Sequence, residues 1–129
     1  MRPLSVLLPL ILLLALPGRA APARPTEAAT VLGVESGDVL QVRLGQRTRR
    51  IRLACVDAPE PVQQPWAAEA RQALERALPV GSAVSIELRA RDVYDRIVAV
   101  VRLRGEDVAA GLLRSGRVFV LEEIGRAHV

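Results

Sequence analysis

The sequence predicts a mainly β fold of the α+β class: five antiparallel strands closing into a barrel, one helix between strands 3 and 4, and a second helix after strand 5. Three observations carry that prediction. Short runs in which apolar and polar residues alternate, separated by turns containing Gly and Asp, read as strands because successive strand side chains point to opposite faces. The stretch after Pro65 repeats its apolar residues at helical spacing instead. The resulting order is three strands, helix, two strands, helix.

The chain opens on Met1-Arg2, an apolar run from Leu4 to Leu16, Pro17-Gly18 and an alanine-rich stretch, the pattern of a secretory signal peptide. That run is short for a bilayer span. Cleavage after Ala20 or Ala23 fits, and Ala23 is favoured because small residues then occupy both key positions; an uncleaved N-terminal anchor is the alternative. The expectation is a secreted or periplasmic bacterial protein, with no stable membrane association once residues 1–23 are removed. Residues 24–29 read as a short linker, and residues 30–122 as the domain.

Val31 to Val34 and Val39 to Leu44 read as strands around the turn Glu35-Ser36-Gly37-Asp38, with Leu40, Val42 and Leu44 inward and Gln41 and Arg43 outward. Gly45-Gln46 turns the chain into a third strand, Arg49 to Val56. Its alternation places Ile51, Leu53 and Cys55 on one face and Arg50, Arg52 and Ala54 on the other. Pro65 opens a helix, and Trp66, Ala70, Ala73, Leu74, Ala77 and Leu78 form its apolar face, with Arg71 and Glu75 placed to pair outside. Val84, Ile86 and Leu88 mark the fourth strand. Ile97 to Val101 is apolar on both faces, as in a strand covered on each side. Glu106-Asp107 starts the second helix, with Val108, Leu112 and Leu113 inward and Gly116 as its stop. Barrel strands in this order, with a helix between the third and fourth, define the OB architecture.

The formal charge is +4, and removing Arg2 and Arg19 with the leader lowers it to +2. All eighteen basic residues are arginine, which reads more as a GC-rich genome than as a function, although a planar, permanently charged guanidinium is the better fork for phosphate. Trp66, Tyr94 and Phe119 are the only aromatics, so platforms for stacking bases are scarce. Cys55 is the single cysteine; it excludes an internal disulfide, and its strand position predicts a buried thiol.

The chemistry concentrates at the end of the third strand. Arg52 points away from the core, and Asp57 and Glu60 follow where Ala58-Pro59 ends regular pairing, because proline lacks a donor and biases its predecessor toward extended geometry. A small charged ligand meets all three there. Each residue also has a plainer reading: Asp38 as turn chemistry, Arg52 as part of a solvated basic face with Arg47, Arg49 and Arg50, Asp57 as a turn cap, Glu60 as bare surface. Arg96 has Asp92 and Asp95 as partners in reach, Tyr94 reads as a strand-end residue, and Trp66 as helix packing.

Taken in order, however, Ser36-Gly37-Asp38-Val39, Arg52-Leu53-Ala54-Cys55-Val56-Asp57-Ala58-Pro59-Glu60, Asp92-Val93-Tyr94-Asp95-Arg96 and Arg114-Ser115-Gly116 resemble the motifs of the staphylococcal (thermo)nuclease family from about Val31 to Val120. The resemblance implies an OB-fold, secreted, calcium-dependent nuclease acting on DNA and/or RNA, and a monomer. Asp38 and Asp57 match the family's metal-binding aspartates, with the Ala58 backbone carbonyl as a third ligand for Ca2+. Glu60 matches the carboxylate that positions the attacking water, and Arg52 and Arg96 match the pair that grips the phosphate. Tyr94 matches a residue that packs on the nucleotide.

The chain departs from the family at Ser36 and Val39, which replace an aspartate and a threonine, and at Asp95, which replaces a glycine. Aspartate is among the residues that tolerate positive φ if position 95 requires it. The aromatic pair expected after the second helix has no clear match. Residues 123–129 resemble one translated frame of a sequencing adapter, so a non-native tail is expected there, His128 carries no weight, and the family's third helix is missing. Two other readings remain at this point: an OB module that holds nucleic acid without cutting it, and an envelope-associated structural domain.

Overall fold

The computed structural model describes residues 3, 4, 15, 18 and 24–121. Apart from four isolated positions, the expected export signal lies outside the described residues, as does the expected tail at 123–129.

The elements are β1 (Thr26–Val34), β2 (Val39–Leu44), β3 (Arg47–Leu53), β4 (Val56–Asp57), α1 (Trp66–Ala77), β5 (Ala83–Arg91), β6 (Ile97–Leu103), β7 (Glu106–Asp107), α2 (Val108–Arg114) and β8 (Phe119–Val120). The sheet runs β3-β2-β1-β5-β6-β7, and β3 also pairs with β6, which closes five strands into the OB barrel. The pairings β1–β2, β2–β3, β1–β5 and β5–β6 are antiparallel. The closing seam is parallel, with Ile51 opposite Ile97 and Arg52 opposite Val98. A separate two-stranded ribbon joins β4 to β8.

Alternation fills the barrel as the sequence predicts. Val31, Leu40, Val42, Ile51, Leu53, Val84, Ile86, Ala99 and Val101 are buried in one cluster, which α1 extends with Leu74 and Leu78 and α2 with Val108 and Leu112. At about 1.5–3 kcal/mol for each large aliphatic side chain taken from water, this cluster is the main stabilising element of so small a domain. Arg71 Nε and Glu75 Oε1 pair at 3.0 Å on the exposed side of α1.

Five expectations change. Thr26 to Ala29, read as linker, belong to β1 and pair with Glu87 to Val84; their alanines hide the alternation that would mark a strand. The third strand stops at Leu53, and Ala54 and Cys55 turn the chain, with Cys55 at φ 66°. The turn inverts the alternation, so Ala54 is buried and the Cys55 residue is exposed, not buried. Leu88 is 47% exposed because the β5–β6 register shifts between Leu88 and Ala90. Trp66, expected against the core, is the first residue of α1 and is 62% exposed.

The start of α2 is fixed by its cap. Asp107 Oδ1 accepts from the backbone N–H of Ala109 at 2.9 Å and of Ala110 at 3.4 Å, satisfying donors that no earlier turn can reach. Asp107→Ala is expected to cost about 1 kcal/mol, read as a lower midpoint in thermal unfolding followed by circular dichroism.

Candidate active site

The turn between β1 and β2 carries Asp38, and its shape follows from Gly37. A Cβ at position 37 would lie 2.7 Å from the Ala70 Cβ and 2.9 Å from the Ala58 Cβ, so only glycine lets the turn rest against α1. The Leu53 N–H donates to the Asp38 carbonyl at 2.8 Å and ties the turn to the end of β3. The Asp38 side chain is held on three sides: Ser36 Oγ donates to Oδ1 at 2.9 Å, the Ala58 N–H donates to Oδ2 at 3.4 Å, and Arg52 Nη2 stands 3.9 Å from Oδ2. Asp38 is the one buried charged residue among those described.

Arg52 leaves the outer face of β3, as its alternation predicts, but its side chain is only 17% exposed. The same Nη2 lies 3.6 Å from Asp57 Oδ1 and 3.5 Å from the Val56 carbonyl. The turn at Ala54-Cys55 makes this possible: it folds β4 back so that Asp57, which a straight strand would carry away, returns to Arg52. Two carboxylates thus face one guanidinium nitrogen. Asp57 is the more open of the two, with a side chain 47% exposed. Ala58 follows immediately and is buried.

Glu60 sits one residue beyond Pro59 in a turn closed in both directions. Its N–H donates to Gln63 Oε1 at 2.7 Å, and the Gln63 N–H donates back to the Glu60 carbonyl at 2.8 Å. Its carboxylate is exposed and, among the described residues, forms no ion pair with the Arg52 cluster.

Arg96 and Tyr94 come from the β5–β6 turn. Asp92 Oδ1 accepts from the backbone N–H groups of Tyr94 at 2.9 Å and of Arg96 at 3.0 Å, and Asp92 Oδ2 accepts from Arg96 Nε. Desolvation pushes the Asp92 carboxyl upward, but these hydrogen bonds outweigh it and hold the group below its ordinary range. The Arg96 guanidinium lies 5.1 Å from the centre of the exposed Tyr94 ring, within cation–π range. Asp95 adopts φ 58°, the left-handed conformation an aspartate tolerates, and its carboxylate turns to Arg91 Nη1 at 3.3 Å. The charge introduced at that position is therefore engaged elsewhere than on Arg96.

The parallel β3–β6 seam brings the two motifs together. With Ile51 opposite Ile97 and Arg52 opposite Val98, Arg96 falls beside Arg50 at the same barrel edge. Sequence reasoning passed over the residues that complete this edge. Arg50 Nε and Nη2 grip Glu35 at 3.0 and 2.8 Å, and Gln41 Nε2 donates to Glu35 Oε1 at 2.9 Å. The Arg50 and Gln41 hydrogen bonds hold the Glu35 carboxyl below its ordinary value, and Arg96 adds to the effect at longer range. The available signal was the outward position of Gln41 and Arg50 on adjacent strands, where β2–β3 pairing sets them opposite each other.

The described residues contain no group of three or more His, Cys, Asp and Glu side chains able to share a metal ion. The oxygen donors at hand are the Asp38 and Asp57 carboxylates, the Ser36 hydroxyl and backbone carbonyls. The OB barrel thus gathers two aspartates and three arginines along one edge, oxygen donors beside the planar guanidinium forks that suit carboxylate and phosphate oxygens. A family model of staphylococcal nuclease homologues matches residues 50–128, more than half of the chain, and the chain belongs to that family. It is also 37% identical to "Probable endonuclease LCL3" of Schizophyllum commune (strain H4-8 / FGSC 9210), over 69% of this chain and 35% of the relative. The chain thus spans about a third of that relative's length. The β1–β2 turn with Asp38 precedes the region the family model matches.

Proposed function

We propose that this domain is an exported, calcium-dependent nuclease that hydrolyses phosphodiester bonds of DNA or RNA. The observation that carries the reading is the convergence of Asp38 and Asp57 on one nitrogen of Arg52, at 3.9 and 3.6 Å, at an edge that also bears Arg96. The donor set fits a hard dication, which takes carboxylate, hydroxyl, carbonyl and water oxygens. Asp38 and Asp57 would hold Ca2+, with the Ala58 carbonyl beside them, and the ion would supply positive charge against the phosphate. The chain's own groups do the rest. Arg52 and Arg96 offer planar forks to the phosphate oxygens and oppose the charge that builds on them in the transition state. The Glu60 carboxylate, exposed three residues after Asp57, orients the attacking water. The Tyr94 ring, exposed beside Arg96, packs against the nucleotide.

The Ser36 hydroxyl supports a second reading. It donates to Asp38 Oδ1 where the resemblance predicts another carboxylate, and the lost negative charge favours weak metal binding and an OB domain that holds nucleic acid uncut. Cleavage of single-stranded DNA in calcium and in chelator separates the two. Metal-dependent cutting, lowered about a hundredfold in kcat by Glu60→Gln, is the expected result. Retention of DNA in both buffers without cutting would replace the nuclease by the binding module.

A further inference from the structure

We propose that Arg50, held in place by Glu35 and Gln41, is a second phosphate-binding residue that takes the phosphate next to the scissile one, so that the site prefers a polynucleotide strand over a single phosphodiester. The inference rests on the nuclease reading for the position of the scissile phosphate, and on an independent set of contacts for Arg50 itself.

Arg50 stands two residues before Arg52 on β3, and so emerges on the same face about 7 Å away along the strand. That spacing is on the order of one nucleotide of an extended chain. The guanidinium is oriented: Glu35 takes Nε and Nη2 side-on, while Gln41 steadies Glu35 from the opposing strand. Among the described residues, Nη1 has no acceptor, and the side chain is 46% exposed. A surface pair of this kind adds little to stability, since two exposed charges gain little in water and must be immobilised. Its effect is to fix a donor in place before a ligand arrives, which lowers the ordering cost of binding.

The three arginines of this edge are each held by acids: Arg50 by Glu35, Arg52 by Asp38 and Asp57, Arg96 by Asp92. The Glu35–Arg50 and Asp92–Arg96 pairs also feel each other, Glu35 the charge of Arg96 and Arg50 the charge of Asp92. The neighbouring acids keep the edge from becoming a general anion trap. A phosphate must meet a guanidinium from the side its acids leave open, and Arg50 and Arg52 stand in succession on one face of β3. Contacts of this kind set position along the backbone without reading the base.

The test compares wild type with Arg50→Ala and Arg50→Gln on two substrates, a single-stranded oligonucleotide and a thymidine carrying one aryl phosphodiester. The expected result is about a tenfold rise in KM for the oligonucleotide with kcat unchanged, no change for the small diester, and a salt dependence of binding shallower by about one ion. Arg50→Lys should restore part of the affinity, because charge remains but the fork is lost. Equal losses on both substrates would overturn the proposal by making Arg50 part of the general structure of the site, and unchanged oligonucleotide affinity would overturn it outright. Oligonucleotide anisotropy in chelator keeps the question separate from cleavage. If wild type binds but never cuts, the nuclease reading fails, while a tenfold weaker Arg50→Ala complex still supports the second phosphate site and an unchanged one removes it.

Discussion

Arg52→Ala is expected to lower kcat/KM on single-stranded DNA about a thousandfold, the upper end of what one preorganised donor contributes to an anionic transition state. Two effects act together. The phosphate loses a bidentate fork, and Asp38, with a side chain 12% exposed, is left facing Asp57 without the cation between them. An uncompensated carboxylate in a partly desolvated place is costly, so the variant should also unfold at a lower temperature than wild type at neutral pH. Calcium distinguishes this account from simple loss of fold. A dication that binds the native aspartates stabilises in proportion to its affinity, and with the guanidinium gone that affinity should rise, so added calcium should raise the thermal midpoint more in Arg52→Ala than in wild type. Arg52→Lys should recover stability while recovering little activity, because an ammonium keeps the charge without the planar pair of donors. Equal calcium shifts in wild type and Arg52→Ala would refute the shared-site geometry.

The fold was legible because its signals are local. Leu40, Val42, Ile51, Leu53, Val84 and Ile86 follow a period of two along their strands, and a wrong register would turn all of them to water. The breaks in alternation were not legible. The turn at Ala54-Cys55 and the shift after Leu88 depend on a φ of 66° and on a bulge, neither of which hydrophobic patterning encodes. The Ala-rich start of β1 failed for the opposite reason, since alanine carries almost no preference and its strand state comes from the neighbouring β5. At the candidate site, the motifs located Arg52, Asp57 and Arg96, but the meeting of Arg52 with both aspartates is a product of tertiary structure. Glu35 escaped notice because a turn acid followed by Ser-Gly-Asp reads as solvent chemistry; its partner Arg50 lies 15 positions on and reaches it only through β2–β3 pairing.

Gly37→Ala is expected to have the largest effect on stability among conservative single substitutions at this edge, about 1–3 kcal/mol, the range for forcing an extra methyl into a closed contact. The contacts explain why relaxation is difficult. The new Cβ would meet Ala70 Cβ at 2.7 Å, Ala58 Cβ at 2.9 Å and the Ala70 backbone carbon at 3.3 Å. None of these is the far end of a flexible side chain; Ala70 is fully buried in the middle of α1, and Ala58 is fixed between Asp57 and Pro59. The strain can be relieved only by moving the turn off the helix, and the turn carries Asp38. A loss of 1 kcal/mol moves the midpoint of a domain this size by roughly 4–8 °C, so calorimetry should find a clear drop, with calcium-dependent cleavage falling at temperatures where the variant is still folded. A variant that loses stability but cleaves normally below its midpoint would show that Asp38 keeps its place when the turn shifts, and would detach this aspartate from the proposed calcium site. The double variant Gly37→Ala with Ala70→Gly tests the contact itself: removing the methyl that α1 presents should recover part of the activity, even though glycine within a helix costs about 1 kcal/mol of stability.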